Sequence, residues 1–152
     1  MALEAALMQV QVPAADGSVR DRLRSWSVET RKALRRYPGL AEVCLTEWVS
    51  LRHGCRMMEG LLHVAGDHTA DDDDQVAIAN AVFVYVLSRV VVERAVLAAG
   101  RRRTLPALDA DPRRFEHLRR VQRQFSTVNV DRHFEIGLDA LLDGLLNAGS
   151  RS

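Results

Sequence analysis

The residues of this sequence that could carry chemistry are five histidines, two cysteines and the aspartate run Asp71 to Asp74. A structural zinc site needs about four well-placed nitrogen or sulfur ligands. His63 and His68 flank Asp67, but a spacing of five sets the two rings off a common helical face, and Gly66 interrupts the segment between them. Surface histidines are the default reading, and no metal site is expected. Cys44 and Cys55 form neither a CxxC pair nor a disulfide framework, so both are expected to be reduced and packed. The aspartate run could gather a cation. It also stands where a long helix should begin, and carboxylates are favoured there by open backbone amides and the helix dipole. The second reading is preferred. There is no Gly-x-Ser-x-Gly turn, no phosphate-binding loop and no Cys/His couple in a recognisable setting. No catalytic residue and no cofactor are expected, and the chain is not read as an enzyme.

Charge narrows the partners further. The chain has 21 basic and 20 acidic residues, a net charge of +1. Neutralising phosphates needs a basic surplus, so DNA binding by these residues alone is not expected. Lys32 is the only lysine among the basic residues, an arginine bias that suggests a GC-rich bacterial genome. Met1 to Val12 lacks the basic start and cleavage site of a signal peptide. The most apolar run, Val76 to Leu87, contains Asn80 and is soon followed by Arg89, whereas a membrane span needs about 20 apolar residues. A cytoplasmic protein without a membrane segment is the expectation.

The elements that position these residues are helical. Hydrophobic residues make up 47% of the 152, and only four prolines and nine glycines interrupt them, which allows one domain with a sizeable core. Met1 to Val10 is a good helix former, and Ala14 to Ser18 a loop. Ser18 followed by Asp21 approximates a capping box. Leu23, Trp26, Thr30, Ala33, Leu34 and Tyr37 then share a face, and Pro38 should end that helix. A short helix over about Leu40 to Trp48 is followed by another from about Ser50 to Ala65. Its face comprises Leu51, Cys55, Met58, Leu61, Leu62 and Ala65, with Gly66 as the residue past its end.

The longest helix spans Asp71 to Ala99, closes at Gly100 and is apolar nearly all round between Val76 and Val92, a pattern of burial on more than one side. Arg101 to Arg103 suits the negative end of that helix and is read as a solvated terminus before a loop holding Pro106. Asp111-Pro112 should start a helix with the stripe Phe115, Leu118, Val121 and Phe125. The last helix runs from about Asp131 to Asn147 with Phe134, Leu138, Leu141 and Leu145 on one face. Gly137 and Gly144 lie seven residues apart on it, a cost in a helix that suggests close approach of another backbone or a core contact. About seven helices and no strand are expected.

The closing run HFEIGLDALLDGLL, His133 to Leu146, resembles the last helix of TetR-family transcriptional regulators. Two further segments match in the same order. RRYPGLAEV, Arg35 to Val43, resembles the Pro-Gly turn early in that family's ligand domain. FVYVLSRVVVERA, Phe83 to Ala95, with the later DPRRFEHLRR, resembles its long interface helix and the helix that follows. No segment resembles the family's three-helix DNA-binding unit, and Met1 to Val10 is similar to the connecting helix after it.

The resemblance implies an all-α effector-binding and dimerisation domain over residues 1–152, without the DNA-binding domain. DNA would then be met only through a missing N-terminal head of a parent repressor. It implies a homodimer built through a four-helix bundle of the long and last helices, which places Phe134, Gly137, Leu138, Leu141, Gly144 and Leu145 at the interface. It also implies a small, mostly apolar effector in a pocket walled by Trp48, His53, Met57, Met58, Leu61 and Tyr85. Residue by residue, plain core remains the simpler account of that set. The alternative function is a stand-alone helical dimerisation or ligand-sequestering protein.

Overall fold

The Ser18 Oγ accepts a hydrogen bond from the Asp21 backbone N–H at 3.1 Å, and this cap opens helix α1, Val19–Leu34. In the computed structural model the described residues are 7–37, 39–99 and 113–148. The helix stops at Leu34, ahead of Pro38, which lies outside the described residues. Gly39 then turns the chain at φ 86°, a left-handed conformation that favours glycine, and starts α2, Leu40–Glu47. A 3₁₀ turn over Trp48–Ser50 and an extended Leu51 lead into α3, Arg52–Gly66. The turn folds back so closely that a Cβ on Gly54 would meet the Trp48 carbonyl oxygen at 2.5 Å. Only a glycine fits there.

Helix α4, Asp72–Ala99, begins where the aspartates predicted: the Asp71 Oδ1 accepts from the Asp74 N–H at 2.9 Å. Helices α1, α2 and α3 pack on it, as does the last helix, α7, Val130–Ala148. Between them lie two short helices, α5, Glu116–Arg120, and α6, Gln122–Ser126. Seven α-helices and no strand occur among the described residues.

The core runs along one side of α4 through Ile78, Ala79, Val82, Phe83, Val86, Leu87 and Val90. On another side of α4, Val84 and Val92 are 42% and 47% exposed within the subunit. By length and composition α4 could cross a membrane, contrary to the expectation from its shorter apolar run; in this fold it is the helix on which four others pack.

Local expectations fail where they lacked a packing partner. The single helix expected after Asp111-Pro112 is divided at Val121, and Phe115 and Phe125 stay exposed, so the stripe has no core to hold it together. Cys44 is buried as expected, but Cys55 is exposed on the outer side of α3. Gly66 is the last helical residue rather than a left-handed one past the end. On α7 the buried stripe is Phe134, Leu138 and Leu142, a four-residue stride that leaves Leu141 and Leu145 only half-buried. Met1 to Ala6, Gly100, Arg101 to Arg103, Pro106 and Asp111-Pro112 lie outside the described residues.

The segment Leu7–Gly17 makes a connection the pattern did not show. Leu7 and Val10 are buried, and a Cβ on Gly60 of α3 would meet the Pro13 Cδ at 2.7 Å. The strap is fastened by the His53 Nε2, 2.9 Å from the Val10 carbonyl oxygen, and by Arg22, whose Nε donates to the Ala14 carbonyl at 2.7 Å.

Candidate functional site

Five of the six residues expected around a pocket gather on the inner side of α3 and its preceding turn. Met57 and Leu61 are fully buried, Met58 is nearly so, and His53 is spent on the Val10 carbonyl. The Trp48 ring meets Phe83 of α4 edge-on, with centroids 5.9 Å apart. Tyr85 stands apart from them. Two residues from Phe83, it lies on the other side of α4. There its hydroxyl donates to the Phe134 carbonyl of α7 at 2.9 Å, and its ring tilts against that of Phe134 at 5.7 Å. Burial pushes the Tyr85 phenol above its usual pKa.

Two spaces open nearby. A cleft of about 720 Å³ lies between the end of α3 and the start of α4, lined by Glu59, Leu62, His63, Asp67 and Gln75 among others. A smaller one of about 170 Å³ lies between Leu34 and Arg35 after α1 and Val90, Glu93, Arg94 and Leu97 of α4. None of the five gathered residues is among those lining either space. No cluster of three metal-ligating side chains occurs among the described residues.

The contact between α1 and α7 is electrostatic. Arg20 pairs with Asp143 at 2.8 Å and Asp139 at 3.4 Å, and Arg24 with Glu135 and with Asp139 at 3.3 Å. Arg31 then reaches Asp131 at 2.7 Å, and Arg35 reaches the same carboxylate at 3.2 Å. A four-residue stride of acids on α7 thus meets a matching set of arginines. That signal was present in the sequence, but nothing local says which two helices are partners.

At the inner end of this ladder Arg31 also donates to both oxygens of Glu93, at 3.0 and 3.2 Å, and stacks 4.5 Å above the Phe134 ring. Glu93 is 1% exposed. Burial works against the Arg31 charge, yet the bonds to Glu93 and Asp131 outweigh it and raise its pKa. The hydrogen bond from Arg31 holds the Asp131 carboxyl below its usual range.

The residues expected at a subunit interface divide into three groups. Phe134 and Leu138 are wholly buried inside the subunit, so they support α7 from within. A Cβ on Gly137 would collide with the Tyr85 hydroxyl, so that glycine serves a contact within the chain. Gly144 has nothing within 4 Å of its Cβ position and lies on the open face of α7 with Ile136 and Ala140, while Leu141 and Leu145 flank the core. Tyr85 locks the two helices together beside this face, and Val84 and Val92 of α4 are exposed as well.

Residues 12–148 match the family described as tetracyclin repressor-like, C-terminal domain. No curated protein matches the chain. Among solved structures, apo ActR from Streptomyces coelicolor superposes with a TM-score of 0.74 at 20% sequence identity, over 99% of this chain and 73% of that one. At that identity the likeness speaks for the fold. With an all-helical architecture centred on α4 and a family match over nearly its whole length, the chain belongs to the tetracyclin repressor-like C-terminal domain family.

Proposed function

We propose that this domain senses a small, mostly apolar effector and pairs with a second copy of itself, as the regulatory half of a TetR-like repressor whose DNA-reading head is a separate N-terminal unit. One observation carries the reading: the same helix, α4, forms the wall of the core on one side and leaves valines exposed on the other. A ligand lodged among Trp48, His53, Met57, Met58 and Leu61 would press on α4 through Phe83. Tyr85 would pass that displacement to α7 through the Phe134 carbonyl.

The proposed interface is the open face of α7, with Ile136, Ala140 and Gly144, beside Val84 and Val92 of α4. Leu141 and Leu145 are at its edge, and Gly137, Phe134 and Leu138 are behind it. Two helices from each subunit make a self-complementary twofold contact. An effector shifts the angle between subunits only if it binds one arrangement better than the other.

Light scattering on a size-exclusion column tests the pairing. A dimer is expected at micromolar concentration, and a mass near 17.0 kDa, that of one chain, would refute it. Duplex DNA should bind weakly and without sequence preference in a gel-shift titration at physiological salt. Tight, selective binding would place the DNA-reading surface in this chain.

A further inference from the structure

Inside the subunit three buried side-chain polar atoms make no hydrogen bond: the Trp26 indole Nε1, the Thr30 hydroxyl and the Arg89 Nε. Of these, Arg89 still pairs with Glu93 through another nitrogen at 3.8 Å. Trp26 is 4% exposed and Thr30 1%. Proteins rarely leave such groups orphaned, because a buried donor loses water and gains nothing for it.

The two residues are four apart on α1, so they share a face one turn apart. The neighbours of α1 show which way that face looks. Arg20, Arg24 and Arg31 mark the side turned to α7. Arg22 marks the opposite edge, where it pairs with Asp67 beyond the end of α3 at 2.5 Å. At about 100° per residue, Trp26 and Thr30 fall between those directions, toward the core that α1 shares with α3 and α4. Leu23, Met57, Leu61 and Phe83 belong to that same core.

The chemistry of a fitting molecule follows. An indole N–H only donates, so the ligand must bring an acceptor, while a threonine hydroxyl can give or take. The charges of Arg22, Arg31, Glu93 and Arg89 already stand in ion pairs, so a neutral partner suits the two uncharged groups, Trp26 and Thr30, best. Met57 is unbranched and flexible, so it can move aside where a stiffer side chain could not.

We propose that Trp26 and Thr30 are the polar anchors of the effector cavity, and that they select a neutral, largely apolar molecule carrying a carbonyl or similar acceptor oxygen. This rests on the reading that the core of α1, α3 and α4 opens to a ligand.

The test uses two probes of the same shape, 9-fluorenone and fluorene, which differ by a carbonyl against a methylene. Both are titrated into the full chain labelled with nitrogen-15. The chain has two tryptophans, so the Trp26 indole signal is assigned by its loss in Trp26→Phe. Fluorenone should bind roughly three- to tenfold tighter than fluorene, the worth of one neutral hydrogen bond. It should move the Trp26 indole proton downfield, and fluorene should not. Trp26→Phe should erase the preference while keeping the fluorene affinity.

Thr30→Val, nearly the same shape, should raise the melting temperature of the unliganded chain and reduce the fluorenone preference, as removal of an orphaned functional group predicts. Equal affinities with an unmoved Trp26 signal would overturn the anchors and leave the cavity standing. A fall in melting temperature for Thr30→Val would show that the hydroxyl already has a partner and would overturn its role even if Trp26→Phe does not fold. Binding of neither probe would overturn the cavity and the anchors together.

Discussion

Toward α7, helix α1 presents Arg20, Arg24 and Arg31 to Asp131, Glu135, Asp139 and Asp143; toward α3 and α4 the same helix presents Leu23, Trp26, Thr30 and Leu34. The first contact is made of long side chains, most of them at least a third exposed, and each such pair contributes little and is screened by salt. The second is a close-packed interior in which a methylene is felt. A charged seam tolerates a shift of register that an apolar core does not. The difference teaches which contacts are costly to disturb: the solvated pairs on the α7 side contribute little each, while the core side is close-packed. The Arg31–Glu93 pair is the exception, a charged contact that belongs energetically to the interior.

The sharpest way to break that distinction is to compare carboxylates. Glu93→Ala leaves the buried Arg31 with Asp131 as its remaining carboxylate and takes the carboxylate from Arg89 too. Losing one partner of a buried pair costs up to about 3–5 kcal/mol. Asp143→Ala and Glu135→Ala should each cost below about 1 kcal/mol, because their partners remain solvated. Urea unfolding of the three variants measures this. If Glu93→Ala is no worse than Asp143→Ala, the seam is uniform and the inner pair is not special.

Gly137 sharpens the comparison from the other side of α4. Its Cβ position is taken by the Tyr85 hydroxyl, so Gly137→Ala must displace that ring and break its bond to the Phe134 carbonyl. Overpacking of this kind costs about 1–3 kcal/mol, moderated here because the displaced atom is the end of a side chain. The tyrosine fluorescence and the unfolding midpoint should change together. An unaltered midpoint would mean that the lock between α4 and α7 is slack.

Much of the fold was legible because its signals are local. Ser18 with Asp21 and Asp71 ahead of a helix each need only a few neighbouring residues to act, and each acts as read. What was not legible depends on partners far along the chain. The stripe Phe115 to Phe125 is as periodic as any, yet among the described residues Phe115 and Phe125 remain exposed. Gly137 and Gly144 look alike in sequence, and one is filled by Tyr85 while the other faces open space. Trp26 and Thr30 read as core from spacing, and their unpaired polar atoms appear only once the helices around them are placed.

Acid should separate the two sides of α1 by a smaller margin. The Asp131 carboxyl is held below its usual pKa of 3.8 by the hydrogen bond from Arg31. A carboxylate with a lowered folded-state pKa adds stability above its unfolded value, and that stability is lost as pH falls through the folded value. Stability should therefore be level down to about pH 4 and decline below it. Asp131→Asn should lose stability at neutral pH and show a flatter decline in acid, read from urea midpoints between pH 3 and 7. Equal slopes for both proteins would remove Asp131 from the account.

The smallest expected effect concerns Gly144, and its sign depends on whether a second copy covers it. Within one subunit nothing lies near its Cβ position, so Gly144→Ala should gain up to about 1 kcal/mol from helix propensity alone. If a partner helix packs there, the added methyl meets it, and Gly144→Leu meets it harder. Dimer stability rises with concentration by mass action, so melting temperature measured across protein concentrations separates the two contributions. The expected result is a higher melting temperature for Gly144→Ala in the dilute, monomeric limit, and a weakened concentration dependence for Gly144→Leu. A Gly144→Leu variant that dimerises like the parent would move the interface off this face of α7 and return the glycine to a merely tolerated position.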